Sequence, residues 1–97
     1  MYFNKWEMTM QNEPIKVYRR SWCEDSDAAV DYFKEQGIQY VEIDIEEDKE
    51  AGEGVKFITG GHHITPTLLY EMHAIVFDPW DAARFKRWWQ VVSDRAL

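Results

Sequence analysis

The chain has 97 residues, enough for one compact domain and not two, and 45% of them are apolar, five of those tryptophan, so a core is within reach. Its net charge of −7 repels phosphate backbones and anionic lipid surfaces, which argues against nucleic acid and membrane partners, and no apolar run nears the ~20 residues that cross a bilayer. A single cysteine excludes an internal disulfide, and without a basic-then-apolar N-terminal pattern the expected setting is a reducing cytoplasm.

Residues 1–13 mix Tyr2, Phe3, Trp6, Met8 and Met10 with polar residues and show no clear period. They read as an N-terminal extension, either an edge strand packed on the rest or a frayed tail, ahead of a single domain at 14–97. Pro14 opens a first strand, Ile15 to Tyr18. A helix is predicted from Cys23 to about Gln36, with Glu24, Asp25 and Asp27 in the first turn, where the helix dipole favours negative charge. Ala29, Val30 and Phe33 give it a buried face, and Gly37 a C-terminal stop. Tyr40 to Ile45 alternates with period two, a strand signal.

A second helix is predicted from about Asp48 to Thr59, with Ala51, Val55 and Ile58 on one face. Gly52 and Gly54 weaken it and Gly60-Gly61 ends it. Thr67 to Tyr70 and Ala74 to Phe77 read as two strands joined at Glu71-Met72-His73. A last helix starts near Trp80 or Asp81; its apolar face is Phe85, Trp88, Trp89 and Val92, with one of the two adjacent tryptophans in the core and the other half exposed. The order β-α-β-α-β-β-α predicts an α/β fold. Its first two strands are parallel, its closing hairpin is antiparallel, and helices cover both faces of a mixed four-stranded sheet.

Chemistry concentrates at Ser21-Trp22-Cys23-Glu24-Asp25-Ser26, at the first strand–helix junction. Free backbone N–H groups at a helix start favour an anion, which lowers a thiol's pKa and makes it a nucleophile. Ser26 puts a hydroxyl where a redox pair would carry its second sulfur. Glu24 and Asp25 oppose ionisation: unit charges ~6 Å apart interact by roughly 0.7 to 3 kcal/mol. The helix start and Arg20 act the other way, and the sign of the sum is open at this point.

The element order, with a cysteine at that junction and Thr65-Pro66 before the third strand, resembles the thioredoxin fold. More narrowly it resembles the glutaredoxin family, in its mycoredoxin-like and ribonucleotide-reductase-associated redoxin branches. Four patches carry the resemblance. Trp22-Cys23-Glu24-Asp25-Ser26 matches a Trp-Cys-x-x-Cys site, and Gly37-Ile38-Gln39-Tyr40 with Glu42-Ile43-Asp44-Ile45 matches the second strand. Gly60-Gly61 with Ile64-Thr65-Pro66-Thr67 matches a Gly-Gly and Thr-Val-Pro-Thr segment, and Asp78-Pro79 stands where one branch has Asn-Pro.

The resemblance implies a thiol–disulfide oxidoreductase. Cys23 would attack a disulfide and form a mixed disulfide. Pro66 would be cis, with the Thr65 backbone offering hydrogen bonds to the bound thiol in the manner of an added strand. Arg20 would pair with a substrate carboxylate or stabilise the thiolate, Trp22 and Ser26 would line the site, and Asp78 or Asp81 would accept an amino group or cap the last helix. No tightly bound cofactor is expected. Glutathione or a similar low-molecular-weight thiol would be the co-substrate, oxidised proteins the partners, and the chain a monomer.

Two departures matter. Without a second thiol, release of the mixed disulfide needs an external thiol, a monothiol mechanism. The Gly-Gly-x-Asp segment that glutaredoxins use for glutathione is replaced by Val76-Phe77-Asp78-Pro79-Trp80. His62-His63 would lie near Cys23, where it would activate the thiol, complete a metal site, or simply form loop surface. Two other functions stay open: a non-catalytic binding module on the same fold, and an iron–sulfur carrier, although the Cys-Gly-Phe-Ser motif of such carriers is missing.

Overall fold

The computed structural model describes residues 11–94. Its elements are β1 (Ile15–Arg19), α1 (Glu24–Gln36), β2 (Tyr40–Asp44), α2 (Lys49–Thr59), β3 (Thr67–Tyr70), β4 (His73–Val76) and α3 (Ala82–Asp94). The sheet order is β2-β1-β3-β4. β1 runs parallel to β2, in register Val17 to Glu42, and antiparallel to β3, Val17 to Leu68; β3 and β4 form the antiparallel hairpin.

Period-two alternation sends Ile15 and Val17 of β1, and Leu68 and Tyr70 of β3, to one face. Two helices cover that face. Ala29, Val30 and Phe33 of α1 and Phe85, Trp89 and Val92 of α3 pack with those strand residues in one cluster. Phe85 is its hub, with ring centroids 5.0 Å from Phe33, 5.7 Å from Tyr32 and from Trp80, and 5.9 Å from Trp89. Trp89 is buried and Trp88 half-buried, as the helical spacing requires. The second helix, α2, covers the other face, where its Ala51 and Ile58 meet Tyr18, Ile43 and Leu69 around a groove.

Local chemistry sets the element ends. Gly37 takes the left-handed conformation, φ 71°, and its N–H closes α1 on Lys34 O. The Asp48 carboxylate accepts from Ala51 N at 3.0 Å and starts α2. Asp81 does the same for α3, accepting from Arg84 N at 3.1 Å, so the helix begins at Ala82 and not at Trp80. The closing strand runs His73–Val76, one residue earlier than the aromatic at Phe77 suggested. Phe77 N donates to Pro66 O at 3.0 Å, which carries the pairing past the strand into the loop before β3.

Residues 1–10 of the expected extension lie outside the described residues. Its last three residues are tied to the domain. The Gln11 side chain bonds both the O and the N of Gln39, at 2.7 and 3.1 Å. Asn12 N donates to the Tyr70 hydroxyl, and the Glu13 carboxylate accepts from Glu71 N, each at 3.0 Å. No helix among the described residues is long and apolar enough to cross a membrane.

Candidate functional site

Cys23 sits at the end of a tight turn, its N–H donating to Arg20 O at 3.1 Å, and its own O accepts the first helical hydrogen bond from Asp27 N at 3.1 Å. It is therefore the residue just before α1, in extended conformation (φ −88°, ψ 111°), and not the first helical residue. Arg19 fixes this junction: its guanidinium bonds Asp27 of α1 at 2.6 Å and Glu42 of β2 at 3.1 Å. One guanidinium shared by carboxylates on two elements forms a small network, a stiffer tie than an isolated surface pair.

The loop before β3 forms the other wall. The Thr65–Pro66 peptide bond is cis. The Cys23 thiol donates to Thr65 O at 3.4 Å, which brings the sulfur against this bend. Cys23 is buried, 9% exposed as a residue, and stands outside the apolar core cluster.

Burial pushes the Cys23 thiol up. Hydrogen bonds from the Ser26 and Thr65 hydroxyls, and from the Ser26 and Asp25 backbone N–H groups, outweigh it, and the thiol lies below its ordinary value of 9.0. The sum left open by the sequence therefore has the sign that favours thiolate. The Glu24 and Asp25 carboxylates are not among the groups that set it, and neither is Arg20. Glu24 is exposed and Asp25 half-exposed, so water screens both. The neutral sulfur makes no capping hydrogen bond to α1; those donors act on the ionised form. Alkylation of Cys23 is accordingly expected to reach half its maximal rate at a pH below that of a free cysteine, the thiolate fraction rising with pH through the lowered pKa. A midpoint at or above the free-thiol value in an iodoacetamide pH profile contradicts this.

The other candidate residues divide into two groups. Ser26, Thr65 and Pro66 are all buried, and the thiol bonds the backbone O of Thr65, directly before Pro66. Arg20 and Trp22 lie on its solvent side. Trp22 is 63% exposed, the Arg20 guanidinium lies 4.6 Å from its ring centroid, and the Trp22 indole N–H donates to Glu46 at 3.3 Å. Arg20 also donates to His63 O and lines a cleft of 390 Å³ with Ile45, Glu46, Lys49, Gly52, Glu53 and His63. Its charge is turned to that cleft. Gly52 lets α2 close on it: a Cβ there would stand 3.2 Å from Ile45 O and 3.4 Å from His63 Nε2.

His63 thus faces α2, while His62 N bonds the Thr59 hydroxyl at 2.9 Å. Among the described residues no group of three or more His, Cys, Asp or Glu side chains converges as a metal site would require. Asp78 is exposed, directly after the residue bonded to Pro66 O, and its bond to Pro79 is also cis. Asp81 is taken by the α3 cap. Sequence reasoning missed Glu46, which carries no motif of its own and reaches Trp22 only in the fold, and the Thr65 hydroxyl, since the resemblance gives a part only to that residue's backbone.

Comparison with known proteins bears on the same region. The glutaredoxin family model matches residues 15–70, which run from β1 to the end of β3 and include Cys23 and Pro66. Mycoredoxin 1 of Corynebacterium glutamicum is 34% identical over 56 residues, 58% of this chain and 68% of that protein. Two solved structures share the fold at low identity. The glutaredoxin grx-1 of Archaeoglobus fulgidus superposes with a TM-score of 0.65 at 19% identity, over 89% of this chain and 94% of that one. A mutant of the thioredoxin-like protein BC3987 superposes with a TM-score of 0.66 at 17% identity, over 77% and 92%.

Proposed function

Because this chain belongs to the glutaredoxin family and is a mycoredoxin-like thiol–disulfide oxidoreductase, we propose that it works by a monothiol mechanism through Cys23. The observation that carries this reading is the lone sulfur at the start of α1, bonded to the backbone O of Thr65 beside the cis bond to Pro66 and biased toward thiolate.

The Cys23 thiolate attacks one sulfur of a substrate disulfide. A Cys23–S–S–R bond forms, the substrate bond breaks, and the second substrate sulfur leaves as thiolate. Ser26 offers no second sulfur, so an external thiolate attacks the R sulfur, forms R–S–S–R′ and returns Cys23 as thiolate. Across the cycle one external thiol is consumed: the leaving sulfur of the substrate is freed as thiolate, its R sulfur ends in R–S–S–R′, and the protein is unchanged.

The external thiol is a low-molecular-weight thiol of the glutathione kind, and the substrate an oxidised protein or its mixed disulfide with such a thiol. Thr65 N–H and C=O pair with the bound thiol as an added strand. Arg20 and Trp22 on one side and Asp78 on the other meet its charged ends. The protein acts as a monomer in a reducing cytosol, with no tightly bound cofactor. The family match adds nothing to a purely structural binding module or to an iron–sulfur carrier.

Ser26→Cys tests the mechanism. The new thiol stands in the first turn of α1 beside the attacking sulfur, so it should resolve the mixed disulfide internally. The adduct then ceases to accumulate, and the protein leaves the reaction as an internal disulfide. A variant that accumulates the adduct as the parent does contradicts a cycle limited by the missing second thiol.

A further inference from the structure

The sheet is covered unevenly. Two helices close the face that carries Ile15, Val17, Leu68 and Tyr70, and α2 alone stands on the other. Register places Val41 and Leu69 opposite Lys16, and Ile43 opposite Tyr18, so these side chains share the face under α2. That helix leaves part of the face open. A groove of 410 Å³ runs between Tyr18, Ile43 and Leu69 of the sheet and Ala51, Phe57 and Ile58 of α2. Phe57 is 90% exposed and Val41 43%. One exposed apolar side chain needs no explanation, but an apolar groove with an exposed phenylalanine on its rim and an exposed valine on the same sheet face marks a docking surface.

We propose that its occupant is the chain's own residues 1–10, with the rings of Phe3 and Trp6 seated in this groove. Composition favours that segment: it carries Tyr2, Phe3, Trp6, Met8 and Met10, and only Lys5 and Glu7 bear charged side chains. Its point of attachment favours it too. Gln11 bonds both the O and the N of Gln39, at 2.7 and 3.1 Å, and Gln39 directly precedes β2. β2 is the edge strand that carries Val41 and Ile43. From Gln39 to Ile43 is roughly 13 Å along a strand, and ten extended residues reach ~33 Å. Charge agrees, since Asp48 and Glu50 line the groove and Lys5 stands between the two rings that fill it. The rival occupant is a second copy of the chain. A segment joined to the groove's edge by its own backbone acts at about millimolar effective concentration, which a dilute free copy does not match. The groove shares no lining residue with the cleft beside Arg20, so the segment covers the sheet without obstructing the thiol site.

Methyl NMR of the full chain tests this. In the parent, the Trp6 ring should show nuclear Overhauser contacts to methyl groups of Ile43, Ile58 or Leu69, and its ring current should displace those methyls. Phe3→Ser combined with Trp6→Ser should remove both signals and raise the fluorescence of a dye that binds exposed apolar surface. The core methyls of Val17 and Leu68, and the rate of disulfide exchange, should stay as in the parent. Phe57→Ser reads the contact from the groove side, at a residue too exposed for the core to depend on it, and should weaken the same Overhauser contacts. Spectra in which the Ile43, Ile58 and Leu69 methyls of parent and double variant coincide overturn the proposal. So does a displacement of those methyls that grows with protein concentration, survives the double variant and accompanies a dimer in sedimentation, because a second copy then fills the groove. Neither result bears on the monothiol cycle, which does not use this face.

Discussion

Cys23→Ser should reduce disulfide exchange to the rate of the uncatalysed reaction while leaving the fold in place. The substitution exchanges one atom at a helix start, a position where serine is itself a preferred cap. Stability should therefore change little, and the loss should appear in turnover alone. The chemistry demands it: only a thiolate attacks a disulfide at neutral pH, and the chain has a single cysteine, so nothing else can substitute. An assay following reduction of a small mixed disulfide by an excess of low-molecular-weight thiol measures this directly. A Cys23→Ser protein with appreciable turnover would mean that the site contributes only a binding surface.

The second large effect is on stability. Phe85→Ala should lower the unfolding free energy by about 3 to 5 kcal/mol, the range for removing a buried aromatic ring. Phe85 is 1% exposed and touches rings from both helices on its face of the sheet, Tyr32 and Phe33 of α1 and Trp88 and Trp89 of α3. Those partners are held by the sheet and cannot all collapse into the space left. A domain of this size has roughly 5 to 15 kcal/mol in total, so the loss is a large share of its stability. Urea unfolding reads the change as a lowered midpoint at similar slope. A loss under about 1 kcal/mol would show that the cluster repacks freely and that Phe85 is not its hub.

The architecture was open to sequence reading because its signals are local and periodic. Ala29, Val30 and Phe33 share a helix face at any tertiary arrangement, and Gly37 marks a left-handed stop by its chemistry. The site was legible for the same reason: Cys23 and Ser26 lie within one helical turn, and Thr65-Pro66 is a dipeptide. What stayed hidden depends on elements meeting in space. Arg19 bridges Asp27 and Glu42 from three separate elements. Glu46 takes the Trp22 indole only because the end of β2 passes beside the active turn. Arg20 bonds His63 O and lines the cleft beside α2, a placement that depends on the loop before β3 passing close to the turn before Cys23. The net effect on the Cys23 thiol was undecidable from charges alone, because the groups that decide it are two neutral hydroxyls and two amides. The shift of the last strand to His73–Val76 came from Phe77, whose β-forming side chain reads as strand although its N–H is committed to Pro66.

The most direct measurement is the mass of the folded protein after exposure to glutathione disulfide. The account predicts one added thiol on Cys23, no addition to Cys23→Ser, and return to the starting mass when free thiol is supplied. A folded chain that takes up no thiol, while the urea-unfolded chain does, would show the sulfur to be unavailable to substrate and would contradict the account at its root.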